Sequence, residues 1–200
     1  MPTVTEKDIR LDFPTGWSVV KYDGDTQTDN ASFYRQRIES KVQNVRGVDV
    51  VSYQPELKGR LLLIEIKDYR ISSQTAEEKA SELRQTMVQK ALNTLSGLYA
   101  AARVQDAELR AVTADIFRPG LPIEVVLFLE RPPLPTAIST VKQKFRRQNP
   151  QSAAENLDLK LIGLLSSPLA ELGMDFHLRS TSTMRSGDGW SGGASPPSPS

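Results

Sequence analysis

The chain contains no cysteine and one histidine, His177. Without thiols there can be no disulfide, no zinc ribbon and no cysteine nucleophile. A lone histidine excludes histidine-dyad and histidine-metal-finger hydrolysis, and no convincing Ser-His-Asp order surrounds it. Alternation along its segment makes His177 a surface residue of an edge strand. No Walker A loop and no G-x-G-x-x-G run occurs, which argues against an ATPase or a nicotinamide enzyme. No apolar run approaches the roughly 20 residues needed to span a bilayer. The opening MPTVTEKDIRLDFP lacks the apolar core of a secretory signal, so the expectation is a cytoplasmic protein without a membrane partner. A charge excess is missing too: 25 Lys and Arg stand against 24 Asp and Glu, a formal net charge of +1. That excludes a uniformly cationic nucleic-acid coat but leaves room for basic groups confined to one face.

The 200 residues are 38% hydrophobic and 24% charged, a globular composition with length enough for a real core. The expected organisation is one α/β domain over residues 1–185 and a disordered tail over 186–200, where the sequence turns to Gly, Ser and Pro with one Trp. Pro14 and Gly16 mark a turn near a short strand or edge segment around Trp17 and Val19. A polar loop follows, with Asp29 or Asn30 placed to cap a helix over Ala31–Val45. Thr75 and Glu78 fit a capping box opening a long helix to about Arg103. Its apolar stripe is Leu83, Met87, Ala91, Leu95, Leu98 and Ala102, a core-facing pattern. Gly97 within it permits close backbone approach. Leu121–Glu130 is nearly continuous apolar sequence and reads as a buried central strand. Thr136–Gln148 reads as a helix ended by Asn149-Pro150. Leu159–Leu165 reads as a further strand and Met174–Arg179 as a half-exposed edge strand. Strands alternating with helices predict a central mixed sheet flanked by helices.

The most informative stretch is GVDVVSYQPELKGRLLLIEIKDYR, Gly47 to Arg70. It predicts two strands joined by a polar turn. Alternation puts Glu65 and Lys67 on one face, with Ile64 and Ile66 on the other. In an antiparallel register with Asp49 opposite Glu65, two carboxylates and an ammonium share one patch. A slip of one residue would send Asp49 to the other face. Asp49 is conspicuous because it interrupts an apolar strand, and a buried acid needs a partner or a metal.

Asp49 near the start of one strand and Glu65-Ile66-Lys67 at the end of the next resemble the PD-(D/E)xK nuclease superfamily, whose restriction-endonuclease-like fold has an αβββαβ core. Val48 stands where the fullest form of the motif has proline, and the match covers about an eighth of the chain. The resemblance implies Mg2+-dependent phosphodiester hydrolysis, of DNA rather than RNA, with Mn2+ as a substitute ion. The setting it implies is a defence, repair or mobile-element system. Asp49, Glu65 and the Ile66 carbonyl would hold the metal, because Mg2+ takes hard oxygen ligands. Lys67 would orient water or offset phosphoryl charge. Some members take a further ligand from the first helix, where Glu39 is the only acid, or place a Gln or Lys on the helix after the motif. Of Gln85, Gln89 and Lys90 there, Gln89 is the second-tier candidate.

Bland alternatives stand beside each of these. Glu65 and Lys67 can be a same-face ion pair worth well under ~1 kcal/mol, and Glu39 can pair with a neighbouring Arg or Lys. Lys142, Lys144, Arg146 and Arg147 form the most basic local segment. They suit a phosphate backbone, or equally a solvated helix face complementing the helix dipole. No DNA-reading domain or motor is recognisable, so specificity would come from a protein partner or a homodimer. The second reading of the whole chain is a non-catalytic nuclease-fold subunit serving as a binding or scaffold component.

Overall fold

Both faces of one strand are apolar, and the fold is layered on that strand. The computed structural model describes residues 1–24, 32–55, 59–70, 80–131 and 141–194, with side chains described for all of these except 80, 81 and 141–154. In chain order the strands and long helices are β1 (Thr3–Glu6), β2 (Ile9–Asp12), β3 (Ser18–Lys21), β4 (Val50–Gln54), β5 (Arg60–Asp68), α1 (Ala80–Arg103), β6 (Ile123–Glu130), α2 (Val141–Ala170), β7 (Asp175–Arg179) and β8 (Ser191–Ala194). A π-helical turn, Tyr34–Glu39, lies between β3 and β4, and a 3-10 turn, Ser186–Asp188, precedes β8.

Strands β3-β4-β5-β6-β7 form a mixed five-stranded sheet in that spatial order. The β3/β4 and β4/β5 pairs are antiparallel, and β5/β6 and β6/β7 are parallel. Parallel neighbours need long crossovers, and α1 and α2 supply them. A second, antiparallel sheet has the order β1-β2-β8. The chain is therefore α/β, with a central mixed sheet as expected.

Alternation along β5 feeds two cores. Leu61 and Leu63 join Val51, Tyr53, Val125 and Leu127 against Leu83, Met87 and Leu98 of α1 and Leu161 and Leu165 of α2. Leu62, Ile64 and Ile66 join Val50, Val126 and Phe128 against Ile9, Leu11, Phe13, Trp17 and Trp190, on the side of the small sheet. Helices cover one face and β1-β2-β8 covers the other. This is why RLLLIEI reads as an unbroken apolar run.

Four expectations are corrected. The helix over Ala31–Val45 is one turn of π-helix, because Tyr34 turns inward, donates its hydroxyl to the Val45 carbonyl at 2.8 Å and brings the chain back on itself. The cap candidates Asp29 and Asn30, like Thr75 and Glu78, lie outside the described residues. Leu159–Leu165 is not a strand but part of α2, with Leu157, Leu161, Leu165 and Leu169 buried at a spacing of four. A short apolar run alone does not separate the two periods. Asn149-Pro150 does not end that helix. Burial of the following stripe outweighs the ~3 kcal/mol that an interior proline costs. Finally, the tail does not begin at Ser186. Strand β8 pairs with β2, placing Gly192 opposite Leu11, and Trp190 stacks on Phe13 with ring centroids 5.6 Å apart. Gly192 lacks the Cβ that would meet Phe128 at 2.6 Å and Leu11 at 2.8 Å.

Candidate active site

Strand β4 pairs with β5 so that Val50 faces Ile64 and Val51 faces Leu63. One step further along this register, Asp49 comes level with Glu65. Asp49 Oδ2 accepts a hydrogen bond from the Ile66 N–H at 2.6 Å, which fixes the carboxylate against the end of β5. Asp49 follows Val51 and Tyr53, and Glu65 follows Leu61 and Leu63, onto the helix-covered face. The two acids thus meet where α1 packs.

The meeting point is buried. Glu65 is 0% exposed, and Asp49 and Lys90 are each 8% exposed. Lys67 Nζ lies 2.6 Å from Glu65 Oε1. The Glu65–Lys67 pair is therefore not the solvated surface pair that exposed strand ends produce, since its acid is sealed from water. Lys90 donates to both Glu65 oxygens at 2.7 Å and stands 3.8 Å from Asp49 Oδ1.

Helix α1 fixes this geometry from its own buried stripe, in which Leu83, Met87, Ala91, Leu98 and Ala101 are joined by Lys90 and Thr94. Thr94 Oγ1 accepts from the Val48 N–H at 3.0 Å, and Asn93 Nδ2 donates to the Arg46 carbonyl at 3.2 Å. The helix therefore holds the backbone that leads into Asp49. Tyr22 closes the other side, its N–H donating to the Asp49 carbonyl at 2.9 Å. Gly47 makes room for the Tyr22 ring, since a Cβ there would meet it at 2.9 Å.

Electrostatics follow from the burial. The Asp49 carboxyl is pushed up to about 7, first by loss of water and then by the negative charge of Glu65, with Lys90 opposing. Asp23, just after β3, has its carboxyl raised chiefly by burial and shares a hydrogen bond with Asp49. Burial disfavours the Lys67 ammonium, but the charge and hydrogen bond of Glu65 outweigh it and hold that group above its ordinary value.

Asp49, Glu65, Ile66 and Lys67 come together; of the other sequence candidates, those with described side chains do not join them. Gln89 is exposed on α1, on the turn beside Lys90 but facing away. Glu39 pairs with Arg35 one turn earlier, the bland reading. Lys142, Lys144, Arg146 and Arg147 fall on α2, but their side chains lie outside the described residues. His177 is half-buried on β7, with Nε2 3.6 Å from Glu124 Oε2. Lys90 and Asp23 are the participants that sequence reasoning passed over. Lys90 had a signal: it sits three residues after Met87 and four before Thr94, inside a stripe that otherwise holds small and apolar residues. Asp23 had none, being one of several acids in a polar loop. No helix among the described residues is long and apolar enough to cross a membrane.

No family model, no curated protein and no solved structure matches the chain.

Proposed function

We propose that the chain is a Mg2+-dependent nuclease of the PD-(D/E)xK type acting on DNA, with the hairpin β4–β5 as its catalytic frame. The observation that carries this reading is the convergence of Asp49, Glu65 and Lys67 on one face of that hairpin, with Glu65 fully buried and paired to Lys67 at 2.6 Å. The order β4, β5, α1, β6 matches the ββαβ part of a restriction-endonuclease-like core, while two strands rather than three lie between the π-helical turn and α1, β3 preceding that turn.

The donor chemistry fits a hard divalent ion. Asp49 and Glu65 offer carboxylate oxygens and Ile66 a backbone carbonyl, the ligand classes Mg2+ takes. When bound, such an ion would supply a polarised water and charge relief at the phosphate. The chain's own groups do the positioning. The Ile66 N–H and Thr94 hold Asp49 in register. Glu65 holds the Lys67 ammonium, which would meet negative charge developing on phosphoryl oxygen.

A second reading, a nuclease-fold subunit that binds without cutting, has observations of its own. Both Glu65 oxygens are engaged by Lys90, and among the described residues no group of three or more His, Cys, Asp or Glu is gathered to hold a metal.

One assay separates the readings. The purified protein is incubated with single-stranded, linear and supercoiled DNA and with RNA in Mg2+ or Mn2+, beside Asp49→Ala and Lys67→Ala. Cleavage of a DNA substrate by the wild type, lost in both variants, is the expected result. Binding without cleavage, equal in all three proteins, would leave only the scaffold reading.

A further inference from the structure

Lys90 is the feature that the nuclease reading does not absorb. It is a lysine on the buried stripe of a helix, 8% exposed, where Lys is rarely found unless paired. Its Nζ sits 2.7 Å from each Glu65 oxygen and 3.8 Å from Asp49 Oδ1. A cation already bridges the two acids whose joint purpose, on the reading above, is to hold a cation. The charge count adds to the difficulty. Asp49 and Glu65 ionised carry two negative charges, Lys67 and Lys90 carry two positive ones, and Asp23, hydrogen-bonded to Asp49, adds at most one more negative charge. A divalent ion approaching this set meets little net attraction unless an ammonium leaves.

We infer that Lys90 is a built-in rival for the metal position: Mg2+ enters between Asp49 and Glu65 only by displacing the Lys90 ammonium, so this lysine sets the metal concentration at which the site fills. The inference rests on the metal reading and specifies its regulation. Lys67 is not the rival, because it contacts Glu65 from the half-exposed end of β5. Lys90 reaches both acids from a rigid helix. Displacement needs only rotation of a four-carbon stem, while the backbone stays held by Thr94 and Asn93. Lys90 is a positioning residue in this scheme, acting through the acids.

The test measures binding of Mn2+ alone to the full chain, by electron paramagnetic resonance of the free ion. Wild type, Lys90→Met, Lys90→Gln, Asp49→Ala and a control are compared. The control, Arg84→Met, removes one positive charge at an exposed position of the same helix. Weak binding by the wild type is expected, with affinity at least about tenfold higher in both Lys90 variants, unchanged in Arg84→Met and lost in Asp49→Ala. Thermal melts with and without Mn2+ give a second readout, in which the ion should raise the melting temperature of the Lys90 variants more than that of the wild type. Wild-type binding that is lost in Asp49→Ala but not tightened by either Lys90 variant overturns the inference and spares the metal site. Binding by none of the proteins overturns both. A Lys90 variant that stays unfolded in excess Mn2+ also overturns it, since the ion could then not take the ammonium's place.

Discussion

Asp49 carries a measurable signature of its surroundings. Its carboxyl moves from 3.8 to about 7, first through burial and then through Glu65. Between those values the folded chain holds a proton that the unfolded chain has released. The resulting contribution to stability is complete below pH ~4 and is lost as pH rises through about 7. Asp49→Asn keeps an oxygen for the Ile66 N–H and removes the titration. Denaturant melts should find the variant more stable than wild type at pH 8, by up to a few kcal/mol, with the gap closing towards pH 5. A gap that stays constant across that range would contradict the assignment. Glu65→Gln should act in the opposite sense. It keeps one acceptor oxygen but removes the charge paired with the buried Lys90, whose next ion-pair partner is Asp49 at 3.8 Å, and a broken buried ion pair costs about 3–5 kcal/mol, readable as a lower urea midpoint. The acids of this site were legible in the sequence because an acid inside GVDVV and an E-x-K at a strand end each break an apolar pattern. Lys90 broke the pattern of α1 in the same way. The break is less telling there, because long helices commonly carry lysines.

At the scale of elements, the long strands and α1 were readable from periodicity, while short or composite elements were not. The Leu159–Leu165 run has the length and aliphatic content of a strand. Only its partners four residues away, Leu157 and Leu169, mark it as helix, and they lie outside the window that looked apolar. The helix assignment has a direct check. Leu161→Ala and Leu165→Ala should each cost about 2–5 kcal/mol, whereas Leu159→Ala, 68% exposed, should change stability little; a strand would make Leu159, Leu161 and Leu165 equivalent. Gly97 offers a second check, on how α1 meets the sheet. A Cβ there would fall 2.1 Å from the Tyr22 hydroxyl oxygen and 2.6 Å from Ile38 Cδ1. Gly97→Ala gains ~1 kcal/mol of helix propensity but forces out the Tyr22 ring that packs over Gly47 and Tyr34, an overpacking cost of typically 1–3 kcal/mol. The net outcome should be a lowered melting temperature.

Across the whole molecule, the mixed sheet was foreseeable and the second layer was not. Nothing local distinguishes SGGA from a linker; β8 is a strand because β2 offers it an edge and because Trp190 has an aromatic slot between Phe13 and Phe128. Long-range pairing of this kind leaves almost no trace in local composition. Arg60 and Arg179 reinforce it by bonding the Asp188 carbonyl and carboxylate. Trp190→Ala should therefore cost about 3–5 kcal/mol in chemical denaturation, and a genuinely disordered segment would tolerate it without effect.

That closure also has a consequence in time. Ile9 pairs with Ala194, so during synthesis β2 waits for a partner roughly 180 residues behind it. At ~5–20 residues per second of synthesis, the wait is on the order of 10–40 s. Throughout it, the sheet that backs Ile64 and Ile66 lacks its third strand. The charged cluster on the opposite side of β5 would reach its final rigidity only after that strand arrives, so until then its acids and lysines would be imperfectly aligned.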